Sequence, residues 1–93
     1  MIDAPNIPVL LVEDNFDLAG NIQDYLEQRG WSVDYVPNGA LALHRVNERT
    51  HAAVILDLRL PVIDGLEVCR RLRSSIAPRI PVLMLTAADL LDD

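Results

Sequence analysis

Three acids and one hydroxyl are placed where they could do chemistry. Glu13 and Asp14 follow the apolar run IPVLLV, Asp57 closes the run AAVIL, and Thr86 follows IPVLML. Each run is short and rich in branched residues, which predicts a strand buried on both faces. In open parallel sheets, ligands collect outside the carboxyl ends of the strands. If the strands ending at Glu13 and Asp57 are neighbours, three carboxylates converge on one crevice. Two unit charges about 4 Å apart repel by roughly 4 kcal/mol at an effective dielectric of 20, so the cluster calls for a counterion. All the donors are hard oxygens, and no histidine or thiol falls at a strand end, which selects Mg²⁺ or Mn²⁺ over zinc. A cation held this way recruits phosphate oxygens. Asp57 is then the expected nucleophile, forming an acyl phosphate. The cation would offset charge on the phosphoryl oxygens during in-line transfer, and Thr86 would hydrogen-bond one of them.

The elements that must position these groups alternate along the chain. The first strand is expected over Ile7 to Glu13. Asn15 is placed to cap a helix over Phe16 to Arg29, in which Leu18, Ile22, Tyr25 and Leu26 recur at helical spacing and which Gly30 stops. Trp31, Val33 and Tyr35 alternate with Ser32 and Asp34, the period of a half-buried strand at a sheet edge. Pro37, Asn38 and Gly39 turn and cap the chain into a second helix, Ala40 to about Arg49. Ala52 to Asp57 is the third strand. Asp64, Glu67 and the pair Ile63 and Val68 have the spacing of a capping box with a hydrophobic staple at the start of a third helix, which Pro78 ends. Ile80 to Leu85 is the fourth strand, again expected to be buried. Residues 86–93 are enough only to begin a further helix. The strand starts lie about 24 residues apart, an architectural repeat without a repeated motif. This order predicts a single α/β domain with a parallel sheet and right-handed crossovers.

Composition narrows the function classes. The chain has 93 residues, 51% of them hydrophobic, and a net charge of −6. It is too apolar for a disordered acidic tail, and its apolar runs are too short to span a bilayer. All eight cationic side chains are arginine and none is lysine, so a basic footprint for nucleic acid is not expected in this chain. The lone Cys69 precludes an intrachain disulfide, and the first residues lack the pattern of a signal peptide. A cytoplasmic location is expected. His44 and His51 lack a third ligand nearby in sequence, Cys69 falls on an apolar helix stripe, and Arg70, Arg71 and Arg73 read as a solvated helix face. Pro61 and Gly65 shape the loop after Asp57.

Taken together, Glu13 and Asp14, the stretch LDLRLPVIDG from Leu56 to Gly65, and Thr86 with Ala87 resemble the receiver domain of bacterial two-component response regulators. The resemblance runs over essentially the whole chain. It implies a flavodoxin-like, three-layer fold with strand order 2-1-3-4-5, in which Asp57 accepts a phosphoryl group from a phosphohistidine of a sensor histidine kinase. It further implies a Mg²⁺ site at Glu13, Asp14, Asp57 and the backbone carbonyl of Arg59. Thr86 would be the switch residue, Arg59 and Ala88 would tune the lifetime of the acyl phosphate, and an attached output domain, DNA-binding in style, would be controlled. The family's fifth-strand lysine and aromatic switch have no counterpart here. The repeat extrapolates to a fifth strand near residue 104, so a receiver truncated after the order 2-1-3-4 is expected, with self-association through the exposed strand Ile80 to Leu85.

Two other readings use the same residues. A haloacid dehalogenase-like phosphotransferase also places an aspartate after an apolar strand, but needs a second acid two residues later, where this chain has Arg59. A protein-interaction module that is never phosphorylated is the other.

Overall fold

The computed structural model describes residues 7–76 and 79–85. Four strands form one parallel sheet: β1 (Val9–Val12), β2 (Val33–Val36), β3 (Ala53–Asp57) and β4 (Val82–Leu85), in the order β2-β1-β3-β4. The helices are α1 (Phe16–Gln28), α2 (Gly39–Glu48) and α3 (Gly65–Arg71), the last continued by a π-helical turn, Leu72–Ile76. Strand order reverses beside β1, so β1 and β3 are neighbours and their carboxyl ends lie side by side.

The pleat of β1 divides the core in two. Leu10 and Val12 face α2 and α3, packing with Val36, Val54, Leu56 and Val68. Val9 and Leu11 face α1 and meet Ala19 and Ile55, with Ile22, Leu26 and Tyr35 alongside. Side chains of β1 are buried on both faces, as its uninterrupted apolar run requires. The resulting layers are helix, sheet, helix.

Local signals set the helix ends. Asn15, Asn38 and Asp64 each accept a hydrogen bond from the backbone N–H three residues on, at 3.0, 2.9 and 2.9 Å. Gly30, at φ +90°, closes α1 in a Schellman motif, with its own N–H on the Glu27 carbonyl and that of Trp31 on Leu26. Three expectations need correction. The Glu67 carboxylate does not complete the capping box; it pairs with Arg70 and Arg71 one turn later, which the i+3 and i+4 spacing favours. The third helix stays α-helical only to Arg71. The fourth strand is not buried on both faces. Leu83 is 59% exposed, because α1 packs over β1 and β2 and stops short of β4 on that face. Pro78 lies outside the described residues.

Asp34, on the α2 side of β2, is a buried acid matched by two cations and an imidazole. His51 Nε2 lies 2.9 Å from one oxygen, Arg45 pairs with the other, and Arg49 is 3.5 Å away. This cluster ties the end of α2 to β2 near the amino-terminal edge of the sheet. His51 is thus a structural partner of Asp34, and no part of the acid crevice.

The loop from Leu58 to Asp64 carries Asp57 into α3 and is tightly folded. The Gly65 N–H donates to Leu58 O at 3.0 Å, and Val62 takes a left-handed φ of 64°, a costly conformation for a β-branched residue. A Cβ on Gly65 would lie 2.4 Å from Asp57 O and 2.8 Å from Leu58 Cα, both backbone atoms with nowhere to yield. Gly65→Ala is therefore expected to cost roughly 1–3 kcal/mol in chemical denaturation. Gly20→Ala on α1, where a Cβ meets nothing within 4 Å, is expected to be neutral or stabilising. Equal stability of the two variants would contradict this packing.

Candidate functional site

Glu13 is the first residue past β1, and Asp57 is the last of β3, so the β1–β3 pairing alone brings them to one end of the sheet. Asp14 starts the short turn into α1. One carboxylate oxygen from each of Glu13, Asp14 and Asp57 lies within 4.8 Å of the other two. The three differ in burial. Asp14 is exposed, Asp57 is half-buried, and Glu13 is only 2% exposed.

Two of the acids, Glu13 and Asp57, are anchored by nearby backbone. Glu13 Oε2 accepts the N–H of Asn15 at 3.0 Å, which leaves Oε1 buried without a hydrogen-bond partner. A buried carboxylate oxygen with no hydrogen-bond partner, on an acid clustered with two other carboxylates, is a costly arrangement that a cation would satisfy. Asp57 Oδ1 accepts the N–H of Arg59 at 3.0 Å, orienting the carboxylate, and Leu58 N donates to Leu85 O of β4 at 3.1 Å. The donor set is entirely oxygen, so it fits a hard divalent cation of the Mg²⁺ or Mn²⁺ kind.

Electrostatics record the crowding. Burial pushes the Glu13 carboxyl up from 4.5 to about 7, partly opposed by the Asn15 N–H and reinforced by the charges of Asp57 and Asp14. Burial, followed by the charges of Glu13 and Asp14, also raises the Tyr35 hydroxyl, keeping it an O–H donor.

Of the residues expected at the site, Glu13, Asp14 and Asp57 meet, and Arg59 adjoins them through its backbone. Thr86, with Ala87 and Ala88, lies outside the described residues. Sequence reasoning missed Tyr35 as part of this neighbourhood. Its hydroxyl donates to the Glu13 carbonyl at 2.7 Å, and its ring meets Phe16 edge-on at 6.3 Å between centroids. The strand alternation put Tyr35 on the right face, but could not show how far along the sheet its hydroxyl reaches.

The raised Glu13 carboxyl links stability to pH. Between about 4.5 and 7 the native chain holds a proton the unfolded chain has released, so stability falls as pH rises across that window. The loss is up to about 3 kcal/mol at 1.36 kcal/mol per pH unit. Denaturation of metal-free protein from pH 4.5 to 7.5 is expected to show this decline, and Glu13→Gln to remove it. Parallel curves for the two proteins would contradict the assignment.

Comparison with known proteins agrees with the geometry. The model of the response regulator receiver domain family matches residues 9–93. The chain is 41% identical over 85 residues to the transcriptional regulatory protein TctD of Salmonella typhimurium, covering 91% of this chain and 38% of that protein. The chain thus spans well under half the length of this curated relative. Among solved structures, the receiver domain of sensor histidine kinase PA1611 from Pseudomonas aeruginosa has a magnesium ion coordinated in its active-site cleft. It superposes with a TM-score of 0.85 at 34% identity, covering 95% of this chain and 73% of that one. The response regulator TrrA of Thermotoga maritima, in complex with Mg²⁺ and BeF, gives 0.80 at 26% identity, covering 88% and 72%. The parallel sheet in the order 2-1-3-4, the helices on its two faces and these matches together show that the chain belongs to the response regulator receiver domain family.

Proposed function

We propose that the chain is a phosphorylation-dependent switch in which Asp57 accepts a phosphoryl group from the phosphohistidine of a sensor histidine kinase. The observation that carries this reading is the convergence of three carboxylates, one of which, Glu13, has a buried oxygen that accepts no hydrogen bond. Glu13, Asp14, Asp57 and the Arg59 carbonyl would hold Mg²⁺ or Mn²⁺. When bound, the cation supplies neutralisation of charge on the transferring phosphoryl oxygens.

The chain's own residues do the rest. The Arg59 N–H fixes the plane of the Asp57 carboxylate, so the attacking oxygen is oriented before the donor arrives. The new O–P bond forms at Asp57 as the N–P bond of the phosphohistidine breaks, and the electron pair of that bond stays on the imidazole nitrogen. Thr86 would then move towards the phosphoryl group and bias a distant surface. The domain takes part in its own phosphorylation as an acceptor and has no separate substrate to turn over.

The relatives named as transcriptional regulators support control of an attached output module, with DNA contact made there. A kinase partner of this type supports a cytoplasmic location; among the described residues no helix is long and apolar enough to cross a membrane. Self-association through residues 80–85 belongs to the same proposal. It is supported by the exposure of Leu83 and by the apolar cleft of about 310 Å³ that Leu83 lines with Ile22, Tyr25, Leu26 and Ile55. Light scattering at high concentration should then find a dimer; a monomer would contradict it.

For the switch, the protein is treated with a small-molecule phosphodonor and Mg²⁺ and examined by intact-mass and peptide mass spectrometry. One phosphoryl group on Asp57, lost on chelation of Mg²⁺ and in Asp57→Asn, is expected. No label, or label surviving Asp57→Asn, would contradict the reading.

A further inference from the structure

Residues 13–15 bridge the end of β1 and the start of α1 without belonging to either. Two of the three clustered carboxylates hang from this short bridge, and mutual repulsion favours its moving outward. Something must hold it in. The main chain of Glu13 is tethered on both sides to β2. Its N–H donates to Val36 O at 3.3 Å, a long bond, and its carbonyl accepts from the Tyr35 hydroxyl at 2.7 Å, the usual length for an O–H donor.

The second tether matters more for geometry. The Glu13 carbonyl and the Asp14 N–H share one planar peptide unit, so fixing the carbonyl fixes the line between the two Cα atoms that bear the acids. Tyr35 pairs with Leu11 in the sheet, two residues before Glu13, and a phenol is long enough to span that offset while still donating a hydrogen bond. The ring itself is half-buried against the α1-side core and is met edge-on by Phe16. The hydroxyl is therefore delivered from a fixed position.

We infer that Tyr35 is a positioning residue for the Glu13 and Asp14 carboxylates and, through its hydrogen bond to the Glu13 carbonyl, sets the affinity of the cluster for a divalent cation. The inference rests on the proposed cation site. It adds to that site a residue from β2 that makes no contact with the cation.

The test is calorimetric titration of Mg²⁺ and of Mn²⁺ at pH 8 into wild type, Tyr35→Phe and Tyr25→Phe. Phenylalanine keeps the ring, its packing and the contact with Phe16, and removes only the donor. Tyr25 lies on α1 with Arg29 stacked on its ring and, among the described residues, makes no hydrogen bond to the acid turn, so its variant serves as the control. Tyr35→Phe is expected to weaken cation binding about fivefold, the equivalent of one neutral hydrogen bond. Tyr25→Phe is expected to bind as wild type does. In the metal-free protein, the Asp14 amide resonance should shift in Tyr35→Phe and its hydrogen exchange should quicken, while those of Val54 and Leu56 in β3 stay as they are. This local readout separates positioning from general destabilisation. Equal cation affinity in wild type and Tyr35→Phe would overturn the inference alone. No cation binding in wild type would overturn the cation site itself, and the inference with it.

Discussion

The structure is organised around an unfavourable interaction: three carboxylates held within 4.8 Å of one another at one end of a parallel sheet. At that separation each ionised pair repels by roughly 3–4 kcal/mol at an effective dielectric of 20. The chain tolerates this because the positions are dictated by backbone pairing. β1 and β3 are hydrogen-bonded neighbours buried on both faces, and neither can slide by one residue without turning its apolar side chains out of register. Core packing thus fixes the strands, and the acids follow from where the strands end. Burial, reinforced by the neighbouring Asp57 and Asp14, pushes the Glu13 carboxyl up to about 7.

The rest of the fold stiffens the two segments that carry the acids. On one side, Asn15 both caps α1 and donates its N–H to Glu13, so the helix start and the buried carboxylate are held by one residue. On the other, Gly65 lets α3 begin against the backbone of Asp57 and Leu58, which anchors the loop after the expected phosphoacceptor. At the far end of the sheet, Asp34 with His51, Arg45 and Arg49 is the opposite case, a buried acid balanced by its own cations. The contrast is chemical: one buried acid is compensated within the chain, and the other cluster would, on the proposed reading, take its compensating charge from a cation.

Much of this was legible in the residues. The three acids stand out because each follows an apolar run, and the alternation of strands and helices brings the ends of such runs to one edge. Asn15, Asn38 and Asp64 read as caps because their short polar side chains satisfy free N–H groups at helix starts. What the sequence could not show depends on distances across the sheet. The run Ile80 to Leu85 is as apolar as Ile7 to Val12, yet hydrophobicity does not report which strand a neighbouring helix reaches, and Leu83 stays exposed. The link from Tyr35 to Glu13 spans 22 residues and depends on the parallel register of β1 and β2. Glu67 shows a local competition, in which two arginines one turn on outweigh a backbone N–H.

The central claim is that the acid cluster is the cation site of the domain. Substoichiometric Mn²⁺ added to isotope-labelled protein tests it most directly, since paramagnetic broadening of amide signals falls steeply with distance from the ion. The amides of Asp14, Asn15, Leu58 and Arg59 should disappear first, with those of Arg45, Arg49 and His51 at the far end of the sheet persisting. Broadening centred on Asp34 or Glu67, or spread evenly over the chain, would contradict it.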